Sequence, residues 1–137
     1  MSTAGAVDTV VAGAGPAGAA AALCLARRGV PVALVDPFEE SGLQVGETLA
    51  PTTRELLAQL GLWERFLAAG HRPAHAIRSA WGSAEAIDQD FILNPFGSGW
   101  HVDRRAFDRM LVDAAVEAGA RRVAGVIGRG TRRGDAW

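Results

Sequence analysis

A glycine-rich turn near the amino terminus constrains the fold more than any other feature of this chain. Gly13, Gly15 and Gly18 follow the spacing G-x-G-x-x-G. A β-branched run at residues 7–11 precedes them, and a run of strong helix formers at residues 19–28 follows. The pattern predicts a buried strand, a tight turn and the opening of a helix.

The three glycines have separate physical roles in such a turn. Gly13 allows a sharp exit from the strand, Gly15 has no Cβ and lets a pyrophosphate approach the backbone, and Gly18 lets the helix lie close to the strand. The helix start presents unpaired N–H groups and the positive end of its dipole to the phosphates. We therefore predict dinucleotide binding by Gly13, Ala14, Gly15, Pro16, Ala17 and Gly18.

A second apolar run, residues 30–35, ends in an acid, Asp36, which follows Gly18 by 18 residues. At this distance from the turn, a carboxylate can accept hydrogen bonds from the two hydroxyls of a ribose. The acid also disfavours a ribose 2′-phosphate, because two anions would repel each other. Residues 7–36 form one predicted βαβ unit. The predicted fold class is therefore α/β, an incomplete Rossmann-like domain with a parallel sheet and flanking helices.

Charge and composition argue against several functions. The chain has 137 residues and a formal net charge of −1, which gives no support for binding to nucleic acid or to an anionic membrane surface. The uncharged run at residues 9–26 has glycines and a proline in its middle, so we predict no integral membrane segment. Because no cluster of histidine, cysteine and acidic residues has metal-ligand spacing, we also predict no metal site.

Cys24 is the only cysteine of the chain. An intrachain disulfide is therefore impossible, and the apolar neighbours of this residue predict a buried side chain. A lone thiol fits a reducing cytoplasm, which is the compartment we expect.

Further elements are predicted from apolar spacing and capping residues. A helix begins near Pro51 with a break near Gly61, and another follows its cap Asp103 and ends at Gly119. Strands are predicted at residues 74–81, 86–93 and 123–127, and loops at 37–50 and 94–99. Residues 132–137 form a predicted turn and an unfinished strand, so we expect the chain to be a fragment of a longer protein.

Three segments of the chain resemble known flavoproteins. Residues 8–18, together with Asp36, look like the start of glutathione-reductase-type FAD proteins. Residues 46–51, GETLAP, are similar to the G-E-x-x-x-P segment of tryptophan-halogenase-like and geranylgeranyl-reductase-like flavoproteins. Residues 100–108 resemble the R-x-x-L/F-D segment of the wider FAD-dependent monooxygenase superfamily. The resemblance extends over nearly the whole chain but over only the first part of such proteins.

The resemblance implies a partial FAD/NAD(P)-binding domain at residues 1–137, with the substrate-binding portion outside this chain. It implies FAD as the cofactor, NAD(P)H as the external reductant and a small-molecule substrate. It also implies that Glu47 and Thr48 lie near the flavin ring and that Arg104 contacts the flavin from the start of its helix. No residue is assigned a catalytic role, since His101, beside the arginine motif, lacks the partner that an acid or base requires.

The function implied is the FAD-binding amino-terminal part of a flavin-dependent oxidoreductase of the monooxygenase kind, with the isolated chain inactive. A reductase of the geranylgeranyl type stays open as an alternative, as does a non-catalytic truncated product. An NAD-binding dehydrogenase domain would need further βα units soon after Asp36. The loop and helix at residues 37–70 fit the flavoprotein plan better.

The chain departs from the halogenase pattern in its basic residues. Flavin-dependent halogenases use a lysine shortly after the G-E-x-x-x-P helix. The matching stretch here, residues 72–78, has no lysine, and all 14 basic residues of the chain are arginine. Arginine stays protonated and does not readily replace lysine in amine chemistry. We therefore expect no halogenation.

Overall fold

The computed structural model describes residues 7–38, 47–82 and 85–129. The chain divides into two compact units, Met1–Gly42 with Asp108–Trp137 and Leu43–Phe107. The elements in chain order are β1 (Thr9–Ala12), α1 (Pro16–Arg27), β2 (Val32–Asp36), β3 (Glu47–Leu49), α2 (Thr53–Gln59), α3 (Trp63–Ala68), β4 (Arg72–Ala74), β5 (Ala76–Ser79), β6 (Ile87–Asp90), β7 (Gly99–Val102), α4 (Arg104–Glu117) and β8 (Arg121–Ala124).

The first unit contains a parallel sheet of three strands in the order β1-β2-β8. Helix α1 connects β1 to β2 and packs against both strands, so the predicted βαβ unit is confirmed. β2 is the central strand, and its residues Val32, Ala33 and Leu34 are buried. A parallel strand that is covered on both faces has no side chains facing solvent. The sequence of β2 is therefore apolar almost throughout rather than alternating.

The second unit contains two small antiparallel sheets. One has the order β3-β7-β4, and the other is the hairpin β5–β6, in which Arg78 lies opposite Asp88. Helices α2 and α3 are separated at Gly61, whose φ of 63° is the left-handed conformation that glycine adopts most easily. The predicted helix with a break at this glycine is therefore confirmed.

Aromatic rings fill the core of the second unit. Phe66 on α3 is fully buried, and its ring centroid lies 5.3 Å from that of Trp100 and 5.9 Å from that of Phe107. Both pairs are edge-to-face, the arrangement favoured by the charge distribution of aromatic rings. Trp63 stacks on Phe66 at 5.4 Å and is partly exposed.

Helix α4 begins and ends where the sequence predicts. Asp103 caps it, since its Oδ1 accepts a hydrogen bond from the Ala106 N–H at 3.1 Å. At the other end, Gly119 has a φ of 109°, as expected for the residue that terminates a helix. The helix buries one apolar face, formed by Phe107, Met110, Leu111, Ala114 and Ala115.

Three short strands, β3, β4 and β7, were the main errors of the sequence prediction, whereas β5 and β6 fall within the predicted strands 74–81 and 86–93. β3 lies within the predicted loop 37–50, and neither β4 nor β7 was predicted. Each has only three or four residues and is defined by pairing with a distant part of the chain, which no local period reveals. β8 ends at Ala124, before most of the predicted strand 123–127. The predicted turn and strand at 132–137 lie outside the described residues.

The environment predicted for Cys24 was wrong, because its side chain is exposed. The buried face of α1 is formed by Ala19, Ala22 and Leu23, and the next residue turns away from that face. Within the ranges described above, no helix is long and apolar enough to cross a membrane. The same ranges contain no group of three or more His, Cys, Asp or Glu side chains that could hold a metal ion.

Candidate functional site: a glycine turn and an arginine–glutamate pair

The glycine turn between β1 and α1 has the geometry that its sequence predicts. Gly13 has a φ of 91°, which an L-residue rarely adopts, and its N–H donates to the Val35 carbonyl at 2.8 Å. A Cβ at Gly18 would lie 1.9 Å from the Gly13 carbonyl oxygen and 3.4 Å from Val11 Cγ1. The two glycines therefore permit the sharp turn and the close approach of helix and strand.

Gly15 is different from its two neighbours in the motif. Its φ of −67° is ordinary, so the backbone conformation does not require glycine. Among the described residues, a Cβ placed on Gly15 would meet no atom within 4 Å. The space next to the Gly15 backbone is therefore unfilled by described protein atoms, as needed if a phosphate is to come close to the helix start.

The carboxylate of Asp36 at the end of β2 connects to the turn. Its Oδ2 accepts a hydrogen bond from the Ala14 N–H at 2.8 Å, and its Oδ1 accepts one from the Phe38 N–H at 2.8 Å. An ionised carboxylate has about four acceptor positions, so these two bonds leave capacity for ribose hydroxyls. The structure thus brings the predicted ribose acid and the predicted phosphate turn together.

Phe38 and Arg122 also lie at this end of the sheet, and sequence reasoning missed both. Phe38 has a φ of 53°, a left-handed conformation that is uncommon for a bulky residue. The Arg122 guanidinium on β8 lies over its ring, 3.9 Å from the centroid. The pairing of β2 with β8 makes the two strands neighbours, with Arg122 opposite Leu34, and the arginine side chain lies over the ring that follows β2. No local signal in the sequence indicates it.

The other predicted cofactor residues lie in the second unit. Glu47 and Thr48 are on β3, and Arg104 is the first residue of α4. The Arg104 guanidinium forms an ion pair and hydrogen bond with the Glu47 carboxylate. The arginine side chain is 19% exposed and that of the glutamate 53%. The guanidinium is therefore oriented by a partner while the carboxylate remains accessible.

Thr48 pairs with the histidine beside the arginine motif. It lies directly opposite His101 in the β3–β7 register, and its hydroxyl is hydrogen-bonded to Nδ1 of the ring at 2.8 Å. The hydroxyl can take either role, depending on the tautomer of the ring. The structure therefore gives His101 a partner that the sequence did not reveal.

A second histidine, His71, occupies a very different place. It is 9% exposed, and its Nδ1 accepts a hydrogen bond from the Asp103 N–H at 3.4 Å. Its Nε2 is buried and has no hydrogen-bond partner in the part of the chain that the structure describes. Burial lowers the pKa of the His71 imidazole, and the nearby Asp103 carboxylate opposes this effect only in part. Sequence reasoning assigned this residue no role.

Comparison with known families identifies the domain. A family model described as "FAD binding domain" matches residues 6–126. The chain belongs to this family of FAD-binding domains, and the Rossmann-like fold predicted from the glycine turn is confirmed.

Several of the similar proteins are flavin-dependent halogenases, and another is the putative FAD-dependent oxidoreductase LodB of Marinomonas mediterranea. The chain is 33% identical over 119 residues to the flavin-dependent halogenase rdc2 of Metacordyceps chlamydosporia, covering 85% of this chain and 22% of that protein. Among solved structures, the flavin-dependent brominase Bmp2 superposes with a TM-score of 0.76 at 25% identity, over 93% of this chain and 31% of that one. The myxobacterial chondrochloren halogenase CndH superposes with a TM-score of 0.73 at 30% identity, over 85% and 29%.

These comparisons confirm the resemblance to halogenase-like flavoproteins. The chain spans about a fifth of the length of the curated relatives it matches first. The cofactor roles of Gly13, Asp36, Glu47, Thr48 and Arg104 stay predictions.

Proposed function

We propose that this chain binds FAD as part of a flavin-dependent oxidoreductase of the monooxygenase kind. The observation that carries the proposal is the open backbone at Gly15, beside a turn that Asp36 holds through the Ala14 N–H. An open helix start and an adjacent carboxylate suit a pyrophosphate and a ribose, respectively. Membership of the FAD-binding family supports the same cofactor.

The hydrogen bonds within the turn narrow the choice of phosphate donors. The N–H groups of Gly13 and Ala14 already have protein acceptors, and Pro16 has no N–H. We assign the pyrophosphate to the amides of Gly15, Ala17 and Gly18 at the start of α1. Ala14 and Pro16 then shape the turn.

Glu47, Thr48 and Arg104 form a separate group of proposed cofactor residues in the second unit. We assign them to the flavin side of the cofactor, as the family resemblance implies. A guanidinium presents a planar set of donors that suits phosphate or ribityl oxygens. The Glu47 carboxylate restrains this guanidinium, so the arginine is oriented before it meets a ligand.

The bound cofactor would supply the redox chemistry, and this chain would supply binding and orientation. The proposal includes NAD(P)H as the external reductant and a small molecule as the substrate. The chain has a single cysteine, and we propose a cytoplasmic location on that ground.

Titration with FAD tests the proposed cofactor. We expect Gly15→Val to weaken FAD binding at least tenfold, because the added methyl groups occupy the space a phosphate needs. Gly128→Val is the matched control, since a Cβ at that glycine also meets no protein atom within 4 Å and its φ is not left-handed. Titration followed by NMR chemical shifts measures dissociation constants up to the millimolar range, so weak binding can still be compared. Equal FAD affinity in both variants would refute the proposal, and tighter binding of NAD⁺ than FAD would favour a dehydrogenase domain instead.

Halogenation is a second candidate, and the names of several similar proteins favour it. Against it, the 137 residues contain no lysine, and a guanidinium does not readily take over amine chemistry. We therefore propose oxygenation or reduction rather than halogenation. A protein containing this chain should give no halogenated arene when supplied with halide and reduced flavin. A chlorinated or brominated product detected by mass spectrometry would reverse this choice.

A further inference from the structure

The buried imidazole of His71 is not among the proposed cofactor residues. It lies directly before β4, and its ring packs against Phe66 at a centroid distance of 4.6 Å and against Phe107 at 6.3 Å. Its Nδ1 accepts from the Asp103 N–H at 3.4 Å, while its Nε2 is buried without a hydrogen-bond partner among residues 7–38, 47–82 and 85–129. Burying a polar atom in this way costs free energy, so the position calls for an explanation.

A short chain of contacts leads from this ring to the arginine of the site. The Asp103 N–H donates a hydrogen bond to His71 Nδ1. The Asp103 carboxylate caps α4, because it accepts a hydrogen bond from the Ala106 N–H at 3.1 Å. The next residue, Arg104, is the first of the helix and pairs with Glu47 on β3. The orientation of the first helical turn therefore depends on the residue that His71 holds.

We propose that His71 is a positioning residue, whose neutral imidazole holds the Asp103 backbone and thereby fixes the first turn of α4 with its Arg104 guanidinium. The inference rests on the proposed function in one respect, because it takes FAD to be the ligand of Arg104. The link between His71 and Asp103 does not depend on the cofactor.

The link requires an unprotonated ring. Nδ1 can accept the Asp103 N–H only without a proton of its own, and a protonated imidazole would present two donors and no acceptor. The surroundings favour the neutral form, because Phe66 and Phe107 exclude water from the ring and lower its pKa. Among the described residues, Asp103 is the charged group that acts on His71, and Arg105 acts on Asp103 in turn.

The first experiment uses the isotopically labelled 137-residue chain without cofactor. The ring signals of His71 and the amide signal of Asp103 are followed by NMR from about pH 8 to about pH 5, the range in which histidine titrates. We expect the Asp103 amide to shift with the midpoint of His71, below 6.5. In His71→Asn, whose side-chain oxygen can still accept the N–H, that step should vanish. An Asp103 amide that does not follow His71 would overturn the proposal.

The second experiment measures FAD affinity in the same range of pH. In the wild type, we expect a loss of roughly fivefold below the His71 midpoint, the size of one hydrogen bond. His71→Asn should bind FAD with little dependence on pH, and His71→Leu should bind weakly throughout. His75→Asn is the control, because His75 is exposed and its Nδ1 is hydrogen-bonded to the Ser98 hydroxyl, away from Asp103. The control should keep the wild-type profile.

A double-mutant cycle separates positioning from a general loss of stability. If His71 acts through the arginine, His71→Leu should have no further effect on FAD affinity in an Arg104→Ala background. Additive losses would refute the proposal, because they would mean that His71 acts independently. If Gly15→Val also leaves FAD affinity intact, the proposed function fails, and the NMR titration still decides the link between His71 and Asp103.

Discussion

The Oδ2 atom of Asp36 accepts a hydrogen bond from the Ala14 N–H at 2.8 Å, which joins the end of β2 to the glycine turn after β1. The two parts of the chain that we propose to contact the dinucleotide are therefore linked by a hydrogen bond within the protein. Asp36 has a structural role in addition to its proposed contact with ribose, since Oδ1 also holds the Phe38 N–H.

Replacing Asp36 by asparagine should therefore affect stability as well as binding. The oxygen of the new amide can still accept one of the two backbone N–H groups, from Ala14 or Phe38. The amide NH₂ group would then face the other N–H, which is also a donor. Leaving one part-buried N–H unsatisfied costs about 1–3 kcal/mol. Urea denaturation measures the loss, and FAD titration measures the accompanying loss of affinity. The control is Asp88→Asn, which breaks an exposed ion pair and should change little. Equal stability of both variants would contradict the structural role.

The close contact at Gly18 leads to a prediction about packing. A methyl group there would lie 1.9 Å from the Gly13 carbonyl oxygen, which belongs to the backbone and cannot swing away. Gly18→Ala should therefore destabilise the chain by about 3 kcal/mol or more, at the upper end of overpacking effects. Gly128→Ala, with open space around its Cβ, should change stability by less than about 0.5 kcal/mol. Denaturant midpoints test this, and a well-folded Gly18→Ala variant would show that the helix can move away from the turn.

Phe38 offers a test of strain beside the ribose acid. Its φ of 53° costs about 1–2 kcal/mol for an L-residue, while its contact with Arg122 returns about 0.5–1 kcal/mol. Phe38→Gly removes both terms, so the melting temperature should change by only a few degrees. Phe38→Val keeps the strain and loses the ring, and it should be clearly less stable. If the valine variant matches the glycine variant, Phe38 does not adopt the left-handed conformation in solution.

The turn, α1, β2 and the boundaries of α4 were predictable because their signals are local. Glycines at fixed spacing, a capping aspartate and a terminating glycine each act on their own few residues. The residues that determine each of these elements are neighbours in the sequence. Asp36, the proposed ribose acid, could also be identified from the sequence, since it closes an apolar run at the expected distance from the turn.

The β3-β7-β4 sheet and the position of His71 were not predictable for the opposite reason. β3 has three residues and becomes a strand only because it pairs with β7, more than fifty positions away. His71 is buried because Phe66 and Phe107 meet around it. Such environments depend on contacts between distant segments, for which a single sequence carries no periodic signal.

The burial of His71 makes the stability of the chain depend on mildly acidic pH. Its pKa is lowered from 6.5 in the folded state, because removal from water disfavours the charged ring more than Asp103 favours it. The unfolded chain therefore binds more protons in the interval between the two pKa values, and stability rises with pH there. The free energy of unfolding should be greatest above 6.5 and should fall as the pH falls below it, by up to about 1.4 kcal/mol per pH unit within the interval.

Urea denaturation at about pH 7.5, 6.5 and 5.5 measures this dependence across the range in which histidine titrates. In His71→Asn, the part of the slope due to this ring should disappear, because the amide does not titrate. His75→Asn should keep the wild-type slope, since that ring is exposed in the folded chain. The difference between the two variants isolates His71 from all other groups that titrate in this range. An identical slope in both would mean that the His71 imidazole is solvated in the folded state and does not hold the start of α4.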